Sequence, residues 1–280
     1  MRQTYPLRIN WLNSAKYAIL LLTSLFYLYP LVWLLINSLK TTKEIFANPW
    51  GLPNTLVWRN FPDAWVTGSI GRYFLNSVLI TSFSLIVLVL FGSMAAFVIA
   101  RMRWRLSGLT LGFFLIGMMI PVHATLLPLF IFFSKLSLTN NSLSLILLYI
   151  AFGLPAAILI LANFFRAIPT EIEEAAAIDG CSMARIFWTI TLPISKPAIF
   201  TVIIFSFVSI WNELLVALVF ISDSYKMTLP VGLMNFKGQY ATNYAPLLAA
   251  TILVIVPSIV LYTIFNNRII EGMTAGAIKG

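Results

Sequence analysis

Y-F-L-N-S-V-L-I-T-S-F-S-L-I-V-L-V-L-F-G-S-M-A-A-F-V-I-A-R-M-R-W-R, residues 73–105, decides the fold class. No charged side chain occurs before Arg101, and the run is longer than the roughly 20 residues a helix needs to cross a hydrocarbon core. Its apolar residues do not alternate with polar ones, so a membrane β-strand does not fit. Three arginines then fall within five positions, at Arg101, Arg103 and Arg105. A short basic turn after an apolar span belongs on the cytoplasmic side.

The same kind of run recurs at 17–39, 106–134, 136–165 and 238–267, and at 197–222 with Glu213 as the one interruption. With 60% hydrophobic and 10% charged residues, the composition lies far from that of a soluble domain. The expectation is an all-α polytopic membrane protein with six transmembrane helices. On six spans the basic residues divide into two sets. Arg2, Arg8, Lys16, Arg101, Arg103, Arg105, Arg166, Arg185, Lys196, Arg268 and Lys279 share one side, against Lys40, Lys43, Arg59, Arg72, Lys135, Lys226 and Lys237 on the other. The richer side faces the cytoplasm, which places both termini there. The net charge of +9 is thereby read as a topology signal and not as a nucleic-acid surface. The first run is too long for a signal-peptide core and lacks an A-x-A-like site, so it is expected to stay as an uncleaved span. Cys181 is the single cysteine, which excludes an internal disulfide and offers no metal constellation.

This gives a cytoplasmic N-terminus (1–16), a first helix (17–39), an extracytoplasmic segment (40–72), a core of five helices (73–265) and a cytoplasmic tail (266–280). Trp50, Trp58, Phe61 and Trp65 read as interfacial anchors, not as part of a folded domain. Gly92, Ala96 and Ala100, then Gly108 and Gly112, have the four-residue spacing that lets helix backbones approach in lipid. Pro30, Pro121, Pro128, Pro155 and Pro257 fall inside runs, where each is expected to kink its helix.

One polar island interrupts this pattern: P-T-E-I-E-E-A-A-A-I-D-G-C-S-M-A-R-I-F-W-T-I-T-L-P, residues 169–193. Thr170 with Glu173 has capping-box spacing, and Glu171, Glu173 and Glu174 suit the positive end of a helix. Gly180 is placed to end that helix in a left-handed turn. Ser182 caps a second helix that Pro193 is expected to stop, with Ile186, Phe187, Trp188 and Ile190 available for burial. The island reads as helix, glycine turn, helix at the membrane surface.

Glu174-Ala175-Ala176, three residues, Gly180, nine residues, then Ile190-Thr191-Leu192-Pro193 resembles the signature loop of ABC-importer permeases, with every fixed position matched. Phe207 through Trp211-Asn212 is similar to the F-x-x-x-W-N segment of binding-protein-dependent sugar permeases. The ending from Gly272 to Gly280, with Asn76-Ser77 earlier, resembles the smaller maltose-type permease subunit. The resemblance implies a type I ABC importer permease architecture in a bacterial or archaeal cytoplasmic membrane. It implies that the loop (166–197) couples to a cytoplasmic ATPase through Glu174, Ala175, Ala176, Asp179, Gly180, Ile190, Leu192 and Pro193. It also implies that Gly276, Lys279 and Gly280 in the tail reach that ATPase, and that 235–240 reaches the sugar cleft of a binding protein. The implied partners are a second homologous permease, a dimer of ATPase subunits, an extracytoplasmic binding protein, a sugar and the bilayer.

Within the spans, Glu213 is the one acid. A carboxylate near mid-bilayer costs about 2.5–3.5 kcal/mol on insertion scales and should face protein or water. Glu213 and His123 fall at similar depths, and with Trp211 and Asn212 they are candidates for a translocation path. The other reading keeps Glu213 as a bridge between helices and His123 as the partner of a carbonyl freed by proline. The chain has no G-x-x-x-x-G-K-[ST] phosphate loop, so no cofactor is expected on it, and ATP with Mg belongs to the partner. It is not expected to be an enzyme. An importer for a polar non-sugar such as glycerol phosphate, or a secondary transporter, remains as an alternative.

Overall fold

A computed structural model describes residues 11–102, 104–239 and 244–277. It is helical where the sequence is apolar. Four helices are long and apolar enough to cross a membrane on their own: Ala15–Ser38, Ile70–Arg101, Ser142–Ala167 and Tyr244–Phe265. Two further pairs pass the same test together but are bent at a short break, giving up to six spans if each pair counts as one. The described residues fall into two compact units, one from those up to Gly68 with those of Phe236–Leu253, the other from those of Ser69–Asn235 with those after Leu253.

The first unit contains α1 (Trp11–Ser38) and α2 (Thr42–Ala47). The segment after α1 is a folded cap, contrary to the expectation of loose interfacial anchors. Its centre is Lys40, which is fully buried. The ammonium donates to Asn37 Oδ1 at 3.1 Å and to the Asn48 carbonyl at 2.8 Å. Asn60 Nδ2 donates to the Ser38 and Lys40 carbonyls, both at 2.8 Å, and the Val57 amide donates to the Leu39 carbonyl at 2.8 Å. Trp50, Trp58 and Trp65 remain exposed, so their anchoring role is compatible with the ordered backbone beneath them. Pairing every backbone group is what membrane-proximal loops require when water is scarce.

The second unit is built on α3 (Ile70–Arg101) and α6 (Ser142–Ala167). Their shared seam comprises Leu88, Ala96, Phe97, Ala157, Ile158, Leu161, Ala162 and Phe165, all buried. Small residues set the distance between them. A Cβ on Gly92 would lie 3.2 Å from that of Ala157, and one on Gly153 would collide with Leu88. Packing of this kind, and not water exclusion, holds helices together in lipid. The opposite side of α3 exposes Leu75, Leu79, Phe83 and Ile86, a face suited to lipid. Gly108 and Gly112 depart from expectation, since no atom lies within 4 Å of where either Cβ would stand. They mediate no close approach inside this chain.

Two runs expected as single helices are broken. The run 106–134 divides into α4 (Ser107–Met119) and α5 (Val122–Lys135), bent by 96°. Ile120 takes the extended conformation (φ −78°, ψ 116°) that a residue before proline prefers, and Pro121 starts the new direction. The run 197–222 divides into α9 (Lys196–Trp211) and α10 (Leu215–Phe220), with Glu213 in the gap. α11 (Leu229–Gln239) and α12 (Tyr244–Ala277) complete the chain. The tail is therefore helical as far as Ala277.

Candidate functional site

The polar island folds as α7 (Thr170–Ile178) and α8 (Met183–Ile194). Between them Gly180 has φ +82°, and nothing lies within 4 Å of where a Cβ would be. Glycine is needed there for its backbone freedom, not for packing space. The Gly180 amide donates to the Ala177 carbonyl and the Cys181 amide to the Ala176 carbonyl, each at 3.0 Å. That pair of bonds is the Schellman helix ending. Ser182 then starts the next helix, its Oγ accepting from the Arg185 amide at 3.4 Å. The helix, glycine turn and helix expected from sequence are all present.

Two local readings are corrected. Thr170 is not the N-cap: Pro169 holds that position and no side chain caps the helix. Glu173, the other half of the expected capping box, faces the bundle. Its Oε1 lies 3.0 Å from Arg101 Nε and accepts from Thr191 Oγ1 at 3.0 Å. The opposite charge of Arg101 and the Thr191 hydroxyl together hold the carboxylate on that side of the helix. Pro193 does not stop α8 either. The helix widens into a π turn over Phe187–Thr191, marked by the Leu192 amide donating to the Phe187 carbonyl, and runs on to Ile194. The wide turn makes room for a proline ring that would crowd the preceding turn of an α-helix. The chain then bends by 75° into α9.

The loop is welded to the membrane bundle on one side and open on the other. Ala176, Ile186 and Phe187 belong to the α3–α6 core, and the Phe187 ring sits 5.2 Å from that of Phe97. Of the other apolar residues in α8, Ile190 is half-buried and Trp188 remains half exposed. On α7 the residues Glu171, Glu174, Ala175 and Ile178 share a face at helical spacing, and all four are exposed. Ile178 is 87% exposed, with Asp179 and Gly180 open beside it. Ile178 thus stands exposed between Glu174 and Asp179, on a helix held from behind through Ala176. Ile178 was not singled out from the sequence, though it lies one turn after Glu174 on the same face. Leu192 is half-buried and Pro193 exposed.

A second feature lies within the bundle, a cavity of about 370 Å³ whose lining includes Val122, Tyr149, Phe152, Ser206, Ser209 and Glu213. Glu213 is held by three donors. Its Oε1 accepts from the Val216 amide at 2.8 Å, and its Oε2 accepts from the Ala217 amide at 3.1 Å and the Tyr149 hydroxyl at 2.9 Å. The carboxylate thus caps α10 and joins it to α6, as a helix bridge would, while also lining the cavity. The other candidates do not gather around it. Trp211 is buried away from this cavity, its Nε1 donating to the Val254 carbonyl at 3.2 Å and its ring stacked on Phe207. Asn212 is exposed and turns back to the Val208 carbonyl at 2.9 Å. His123 is exposed, while its neighbour Val122 lines the cavity. Of the tail residues, Gly276 lies in α12, and Lys279 and Gly280 fall outside the described residues. So does part of 235–240.

Residues 88–270 match the family described as "Binding-protein-dependent transport system inner membrane component". The diacetylchitobiose uptake system permease protein NgcG of Streptomyces coelicolor is 35% identical over 268 residues, covering 95% of this chain and 89% of that one. The melibiose/raffinose/stachyose import permease protein MelC of Bacillus subtilis is 34% identical over 252 residues, covering 90% and 91%. In fold, the chain is similar to one in the crystal structure of a bacterial ABC transporter involved in the import of the acidic polysaccharide alginate. There the TM-score is 0.80 at 21% identity, covering 96% of this chain and all of the other.

Proposed function

Since this chain belongs to the family of binding-protein-dependent transport system inner membrane components, we propose that it is the membrane permease of an ATP-driven importer for a sugar or oligosaccharide. It is a multi-pass membrane protein and a transport component. The sugar assignment is supported by the sugars that the names of its relatives carry. In this reading α4 with α5 make one span and α9 another, which with the four long helices gives six spans and puts both termini in the cytoplasm.

The single observation that carries the proposal is the two-sided loop. Its back is buried with Phe97 and Phe165 of the bundle, and its front presents Glu174, Ala175 and Ile178. A soluble ATPase dimer, with ATP and Mg in its own sites, docks on that front. Closing of the ATPases then turns the loop and the helices fixed behind it. The cavity beside Tyr149 and Glu213 opens alternately outward, to receive sugar from a binding protein, and inward. A second, homologous permease supplies the other wall of the path, and the tail around Gly276, Lys279 and Gly280 meets the ATPases.

Affinity purification from membranes in mild detergent tests this. A tag on this chain is expected to bring down an ATPase and a second permease of similar size. Recovery of the chain alone, or only with copies of itself, would contradict the proposal.

A further inference from the structure

The end of α3, both halves of the loop and the start of α9 are joined by one line of polar contacts. Arg101, in the last turn of α3, places Nε 3.0 Å from Glu173 Oε1 and donates from Nη2 to the Ile168 carbonyl at 2.7 Å. The same Glu173 oxygen accepts from Thr191 Oγ1 at 3.0 Å. The Thr191 carbonyl accepts from Ser195 Oγ at 2.7 Å, at the 75° bend into α9. Every member is enclosed. The Arg101 and Glu173 side chains are 5% and 13% exposed, and Thr191 and Ser195 are fully buried. Among the described residues the other two ion pairs, Arg59–Asp63 and Lys226–Asp223, are local and solvent-facing. Arg101–Glu173 alone joins distant parts of the chain.

An apolar seam lets packed surfaces slide. A buried ion pair braced by hydrogen bonds on either side, from Arg101 Nη2 to the Ile168 carbonyl and from Thr191 Oγ1 to Glu173, holds its parts at set distances. Three contacts converge on one Glu173–Arg101 node, and they lead to three membrane helices: α3 directly, α6 through Ile168 and α9 through Thr191 and Ser195. The node lies behind α7, on the side opposite Glu174 and Ile178. It therefore takes no part in the exposed docking face.

We propose that Arg101 and Glu173 are positioning residues that pass a rotation of the loop to α3, α6 and α9 together, with Thr191 carrying it to the α9 bend. The proposal rests on the transporter reading above and names the parts that transmit force within it. Losing the pair leaves α7 tied to α3 by apolar packing alone, so that it turns without taking that helix along.

The test uses the complex purified through this chain. Cys181 is replaced by alanine, and spin labels are placed at Val122→Cys and Ser209→Cys across the cavity. The probe is ATP with vanadate, which locks an ATPase in its closed state. The parent complex is expected to show a shifted label distance on trapping. Complexes carrying Arg101→Ala or Glu173→Gln are expected to retain their ATPase and trap nucleotide, yet keep the nucleotide-free distance. Arg101→Lys keeps the charge but reaches one of its two partners, so it should restore part of the shift. A full shift in Arg101→Ala would overturn the proposal, as would loss of the ATPase from all three variants, which would make these residues docking determinants. Should the parent complex contain no ATPase at all, the transporter reading itself fails, and the two failures are distinct.

Discussion

The Tyr149 hydroxyl donates to Glu213 Oε2 at 2.9 Å, tying the buried face of α6 to the first turn of α10. The same carboxylate accepts from the Val216 and Ala217 amides. An acid in the membrane is thus used to finish a helix that begins at depth, where water cannot satisfy the free amides.

Glu213→Ala strands those two amides and the tyrosine hydroxyl. Each unsatisfied buried group costs about 1–3 kcal/mol, and a hydrogen bond to a charged group contributes about 1.5–3 kcal/mol. Glu213→Gln keeps acceptor capacity without charge, and Tyr149→Phe removes only one donor. Thermal unfolding in detergent should therefore rank them with Glu213→Ala least stable and Tyr149→Phe nearest to wild type. An unchanged midpoint for Glu213→Ala would show that the carboxylate does not hold α10.

At Gly180 the left-handed backbone, and not space, sets the requirement. Replacement by alanine should cost about 1–2 kcal/mol, and asparagine less. Proline cannot reach positive φ and also removes the amide that donates to the Ala177 carbonyl. Limited proteolysis between α7 and α8 should accelerate in the order asparagine, alanine, proline. Gly180→Pro should abolish transport while the chain remains in the membrane. Normal uptake by that variant would remove the loop from the mechanism.

The glycine turn was legible because its cause is local: one residue type permits one conformation, and Ser182, two residues on, starts the following helix. The two membrane helices α3 and α6 were legible for a similar reason, since length and apolarity alone define them. Glu173 was misread because its spacing from Thr170 satisfies a local rule, whereas its actual partner is an arginine at the end of a distant helix. The role of Glu213 needed the break at 212–214, and no glycine or proline marks it. Pro121 did mark a break, but whether a proline kinks a helix or ends it depends on surrounding packing that the sequence does not display. The burial of Lys40 was not legible because the asparagine side chain and the carbonyl that enclose it are brought together around it only by the folded segment after α1.

The cap after α1 gives an independent prediction. Lys40→Met leaves the Asn37 side-chain oxygen and the Asn48 carbonyl without their buried donor, a loss of about 1–3 kcal/mol for each group. Hydrogen exchange should rise across 41–60 and stay unchanged in 142–167. Uniform exchange in both segments would mean the lysine does not organise the cap.

The exposed face of α7 should respond differently from its buried side. Glu174→Lys and Ile178→Asp change side chains that carry no packing within the chain, so surface substitution should alter stability by about 0.5 kcal/mol or less. Both should nevertheless reduce recovery of the ATPase in copurification, with Ile178→Asp the more severe because a desolvated apolar anchor dominates an interface. Equal stability with undiminished recovery would place docking elsewhere.

The most direct measurement is photo-crosslinking from a benzophenone side chain installed at Ile178 in intact membranes. The predicted result is a single adduct to a soluble ATPase chain, formed in every nucleotide state and absent when the group is moved to the buried Ala176 position. A group at Ile178 that reacts only with water or lipid, in all states, would contradict docking through this loop.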